Sequence, residues 1–80
     1  MRVDFLEALM MKHQAAAALA VSNIRTYLEN PAGIGEHPDL TDAIEVQTKL
    51  YNESSEMIES LNALLLEFGH EEELNDDTGN

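Results

Sequence analysis

The sequence predicts an all-α protein: an antiparallel two-helix hairpin that dimerises into a four-helix bundle. Three observations carry this expectation. Two segments repeat apolar residues on alternating four- and three-residue steps, the spacing of helices laid along one another. The first runs Leu6, Met10, His13, Ala17, Ala20, Ile24 and Tyr27. The second runs Leu40, Ile44, Tyr51, Ile58, Leu61, Leu65 and Phe68, with Gln47 and Ser54 on its two remaining steps. A short turn rich in proline and glycine separates them. Each segment also carries flanking apolar residues, Phe5, Leu9, Ala16 and Leu28 on the first and Ala43, Leu50, Met57 and Leu64 on the second. The combined stripe is too wide for one helix to cover, and suits a bundle core.

The first helix is expected over residues 3–29. Ala15 to Ala18 give its middle strong helix propensity and let another helix approach closely. Asn30-Pro31 ends it, because the residue before a proline is pushed out of the α region. The connection spans 30–38, where Gly33 and Gly35 permit positive φ and Ile34 is placed to fold back over the end of the core. A connection this short predicts antiparallel helices.

The second helix is expected over 39–68. Pro38 suits a first helical position, Asp39 and Asp42 place acids where the helix dipole favours them, and His37 reads as a capping residue. Glu45 stands four residues before Lys49, the favourable order for a helical ion pair. Gly69 reads as a stop. The hairpin domain thus covers 1–69, and 70–80, with Glu71, Glu72, Glu73, Asp76 and Asp77, reads as a disordered acidic tail. Requiring seam residues to meet suggests a register in which facing residue numbers sum to about 68. It sets Tyr51 over Ala17, gathers His13, Gln47 and Ser54 where they could hydrogen-bond one another, and assigns the leucine-rich end of the second helix, from Leu61 onward, to a partner chain.

Eighty residues make one domain, and a chain of that length buries only about 60% of its unfolded surface, so self-association is expected to reinforce the core. With no cysteine there are no disulfides and no thiolate metal sites, as in a reducing compartment. Asp4 and Glu7 interrupt the region where a signal peptide needs an uncharged run, and no segment is apolar enough to span a membrane. A cytoplasmic location is expected. Charge is uneven. Arg2, Lys12 and Arg25 balance Asp4, Glu7 and Glu29 in residues 1–35, whereas 36–80 hold thirteen acids and only Lys49, giving the net −12. Such a surface repels nucleic-acid phosphates and anionic membranes. It serves solubility, a basic protein partner, or imitation of nucleic acid.

Little in the chain suggests catalysis. Glu53, Glu56 and Glu59 step by three along the second helix, the arrangement by which helical nucleotide phosphohydrolases hold magnesium. The first helix answers with only Asp4 and Glu7, and the seam phase turns the three glutamates outward, as on an ordinary solvated face. Glu67-Phe-Gly-His70 has the E-x-x-H spacing of di-iron bundles, but a stop at Gly69 would break its geometry. His13 lies on the seam, more consistent with a core histidine than with a ligand or a pH-responsive pair. No serine or threonine has a base and an acid at a recognisable spacing. No cofactor is expected.

His13-Gln-Ala-Ala-Ala17, followed by Tyr27-Leu-Glu-Asn-Pro-Ala-Gly-Ile-Gly-Glu-His-Pro-Asp-Leu40, resembles small helical-hairpin proteins of unknown function encoded by marine T4-like phages. The resemblance rests on the turn, about a fifth of the chain. It implies an accessory viral protein working in the host cytoplasm and brings no catalytic residues. The expectation is therefore a non-catalytic interaction protein that binds a host or viral protein, with a metal-dependent phosphohydrolase and a nucleic-acid mimic as alternatives.

Overall fold

The computed structural model describes residues 2–31 and 37–79, with side chains over 2–31 and 39–69. Two helices, α1 (Asp4–Glu29) and α2 (His37–Gly79), make up the fold, an all-α hairpin as the two repeats predict. The 43 residues of α2 rise ~1.5 Å each, about 64 Å in all, matching the 63 × 15 × 14 Å extents of the chain. The molecule is a long, narrow pair of helices, 15 by 14 Å across its short dimensions. Its radius of gyration, 18.4 Å, compares with about 12 Å for a compact domain of this length.

Local chemistry accounts for the ends of α1. Val3 precedes the helix without a side-chain cap, and Asp4 and Glu7 supply negative charge to the first turn instead. The Arg2 guanidinium grips Asp4 through Nε (3.2 Å) and Nη2 (2.7 Å) and lies 5.3 Å from the centre of the Phe5 ring. That guanidinium holds the Asp4 carboxyl below its ordinary range. At the other end, the Asn30 N–H donates to the Thr26 carbonyl at 2.9 Å. On α2, Glu45 and Lys49 form the expected ion pair at 4.0 Å, but both are exposed, and such a pair contributes at most about 0.5 kcal/mol.

Helix α2 does not stop at Phe68. The backbone continues as helix through Gly69 to Gly79, overturning the boundary expected at that glycine. Glycine costs a helix only about 1 kcal/mol relative to alanine, so it weakens a helix without obliging it to end, and Glu71 to Leu74 are good helix formers. A methyl group added at Gly69 would meet nothing within 4 Å. Gly69→Ala is accordingly expected to stabilise the protein by about 0.5–1 kcal/mol, read as a higher denaturant midpoint at unchanged slope. A lower midpoint would refute a continuous helix there. The tail expected to be disordered over 70–80 is therefore helical backbone as far as Gly79, whereas the expected plug at Ile34 and the side chain of the His37 cap fall outside what is described.

The seam is largely where the repeats put it. Met10, Ala20 and Leu61 are buried, and Leu6, His13, Ala17, Ile24, Tyr27, Leu40, Ile44, Ile58, Leu65 and Phe68 are half-buried. Tyr51 departs from this, with 44% of its surface exposed. A tyrosine ring is longer than the gap between two helices, so its outer half projects past a small residue opposite. Leu61, only 2% exposed, is buried within its own hairpin, so the leucine-rich end of α2 does not lie beyond the reach of α1.

The register also differs in detail. Asn23 Nδ2 donates to Gln47 Oε1 at 3.2 Å, a pair whose numbers sum to 70 rather than 68. The adjacent alignment at 71 sets every seam residue of α1 opposite one of α2: Met10 faces Leu61, Ala17 faces Ser54, and Ala20 faces Tyr51. It explains why Met10, Ala20, Ser54 and Leu61 are the buried residues. Gln47 therefore pairs with Asn23, and not with His13 or Ser54. Among the described residues, no buried side-chain nitrogen or oxygen lacks a hydrogen-bond partner.

Candidate functional site

In an antiparallel helix pair, the residues just before the seam positions that follow a four-residue step lie on the same side of both helices. On α1 these are Leu9, Ala16 and Asn23, and on α2 Ala43, Leu50, Met57 and Leu64. The next row outward on that side contains Phe5, Lys12, Leu19 and Thr26 on α1, and Val46, Glu53, Ser60 and Glu67 on α2. Together they form a second four–three repeat on each helix, about a quarter-turn from the first. Phe5 is 68% exposed and Leu50 46%, and Leu9, Leu19, Val46 and Leu64 are exposed as well. The opposite side is different in character. Glu7, Gln14, Thr41, Thr48, Ser55 and Asn62 dominate its inner row, with Val21 and Leu28, and its outer row sets Met11 and Leu66 among Asp4, Arg25, Glu45, Asn52 and Glu59. One long side of the hairpin is apolar and open; the other is mostly polar.

The flanking residues named from the sequence (Phe5, Leu9, Ala16, Ala43, Leu50, Met57 and Leu64) all fall on the open side, and Leu28 falls on the other. Sequence reasoning missed Leu19 and Val46, which complete the second repeat, and Asn23, which holds the register. The signal was present: continuing the four–three step from Phe5 and Leu9 reaches Leu19, and continuing it back from Leu50 reaches Val46.

The accessible surface of the chain is 5981 Å², about 1,200 Å² more than the ~4,800 Å² expected of a compact monomer of its mass. The excess is more than the ~800 Å² that each partner contributes to a standard protein interface.

The candidate metal residues do not converge. Glu53, Glu56 and Glu59 are all exposed, and successive steps of three carry them across the outer surface of α2, away from α1. Asp4 is engaged by Arg2, and Glu7 is exposed on the opposite side of the hairpin. Among the described residues, no three histidine, aspartate or glutamate side chains come together as a metal site. Since α2 runs through Gly69, the backbone spacing of Glu67 and His70 is helical after all, yet Glu67 is exposed on the outer surface and the His70 side chain is not described. His13 is half-buried beside the open side. A shallow depression lined by Glu45, Thr48, Lys49, Tyr51 and Asn52 belongs to α2 alone and encloses nothing.

No helix among the described residues is long and apolar enough to cross a membrane. No protein-family model matches the chain, and neither curated proteins nor solved structures give a match.

Proposed function

We propose that this is a small, acidic, non-catalytic interaction protein that works as a homodimeric four-helix bundle in the cytoplasm and binds a protein partner through a basic surface on that partner. The observation that carries this is the division of the hairpin into two kinds of surface. An open apolar side, with no convergent chemical groups, is suited to assembly. The outside of α2, clear of the open side, bears exposed Asp42, Glu45, Glu56 and Glu59 with Lys49 as the one base among them, and is suited to a cationic partner. The resemblance of the turn to small phage proteins supports an accessory viral role, with a host or viral protein as the target.

The same acids favour one second reading, imitation of nucleic acid, because they occupy neighbouring outer positions along one helix rather than being scattered. Under that reading, DNA competes with the protein for its partner in a salt-sensitive manner. Partner binding unaffected by DNA separates the two.

Assembly is tested first. Light scattering on a sizing column, over roughly 1–100 µM, is expected to give a helical species of about twice the 8.9 kDa chain mass, and helicity is expected to fall on dilution because folding and association are linked. A fully helical monomer across the range would overturn the dimer.

A further inference from the structure

The geometry points to a specific arrangement of the dimer: a second copy of this chain covers the open side by a two-fold axis parallel to the helices, so that each α1 packs on the α2 of the other copy and both turns lie at the same end. The inference rests on the dimeric reading above and says which surfaces meet.

Two hairpins placed face to face can be related by a two-fold axis in two ways. An axis running across the helices stacks α1 on the partner's α1 and α2 on the partner's α2, with the turns at opposite ends. An axis parallel to the helices stacks α1 on the partner's α2. The open repeat distinguishes these by charge. On α1 it includes Lys12 and no acid, Arg2 lying before the helix and bound to Asp4; on α2 it includes Asp39, Glu53 and Glu67 and no base. The crossed arrangement brings the two acidic rows of α2 together and leaves the lysines of α1 without acids opposite. The parallel axis puts the lysine-bearing row of each copy against the acidic row of the other, and the repulsion between facing acidic rows disfavours the alternative.

Register agrees with this choice. A two-fold axis parallel to the helices preserves axial level, so the contact between copies inherits roughly the alignment marked by Asn23 and Gln47. The closest sum that sets every residue of the open repeat on α1 opposite one on α2 is 69. There Phe5 meets Leu64, Lys12 meets Met57 one turn from Glu53, Ala16 meets Glu53, Leu19 meets Leu50, and Asn23 meets Val46 of the second copy. The exposed Phe5 and Leu19 of one copy thus fall opposite exposed leucines of the other, and Lys12 lies within a turn of Glu53.

Because the chain has no cysteine, engineered cross-links identify the arrangement directly. Ala16 and Glu53 are exposed and lie near the middle of the paired region, where an axis across the helices would pass. Ala16→Cys and Glu53→Cys chains carrying different tags are mixed, dissociated in denaturant, refolded together and oxidised. The expected product is the mixed disulfide, dominant over either self-linked species, and Leu9→Cys with Ser60→Cys gives the same result. Self-linked Ala16→Cys and Glu53→Cys products would overturn the parallel axis, as would a dimer yielding neither. Light scattering of the unsubstituted chain separates these failures from failure of the dimer itself: a monomer there removes the premise, whereas a dimer with the wrong cross-links removes only this arrangement.

Discussion

Leu61→Ala is expected to cost about 2–5 kcal/mol, the usual range for truncating a buried leucine, and to lower the melting temperature by at least about 8 °C, at roughly 4–8 °C per kcal/mol for a domain this small. Leu61 is the most buried large side chain among the described residues, and Met10 opposite it in the seam is the other large buried side chain. Removing three carbons there opens a cavity that the surrounding helices cannot close without giving up the seam. The loss is a large share of the 5–15 kcal/mol by which folded domains are typically stable, and less than that is expected of so thin a hairpin. Leu66 supplies the control. It is the same residue type, five positions along the same helix, but 77% exposed, so Leu66→Ala is expected to change stability by no more than about 0.5 kcal/mol. Equal losses at the two positions, measured by denaturant unfolding, would contradict the packing described.

The second large effect is expected at Leu50→Glu. In a single hairpin Leu50 is half-exposed, and a glutamate there keeps its helix propensity and reaches water. In the dimer the same position faces Leu19 of the other copy, and symmetry buries two unpaired carboxylates for each interface. Desolvating such groups without partners costs several kcal/mol, so dimer affinity is expected to fall at least about a hundredfold, which corresponds to ~2.7 kcal/mol. Sedimentation or light scattering should then show a monomer at concentrations where the parent is dimeric. Asn62→Glu, an exposed polar position on the opposite side, is expected to leave the mass unchanged. If both variants kept the parent's mass, the apolar side would not be the interface.

Much of this architecture was legible in the residues themselves. Thirteen of the fourteen apolar and histidine positions assigned to the seam are buried or half-buried, because a four–three repeat fixes the direction in which a helix must face before any partner is known. The turn chemistry at Asn30-Pro31 likewise ended α1 within one residue of where the structure ends it. Gly69 was misread for a thermodynamic reason. A glycine lowers the stability of a helix by an amount that good helix formers on either side can offset, so composition alone does not decide whether the helix stops.

The site was less legible than the fold. The exposed glutamates at 53, 56 and 59 were correctly phased outward, since that too follows from rotation about the helix axis. The open apolar side was only half seen, because Leu19 and Val46 stand one row outside the stripe and gain meaning only when both helices are viewed from the same side.

What the sequence by itself determined is the angular part of the structure: two helices, their antiparallel sense, which residues turn inward and which turn to water. What only the tertiary structure decided is the axial part. Sliding one helix along the other by two or three residues keeps the same stripes in contact, so periodicity scarcely distinguishes a sum of 68 from one of 71. The level is marked by the amide of Asn23 within reach of Gln47 and by the heights at which Met10, Ala20, Ser54 and Leu61 are buried.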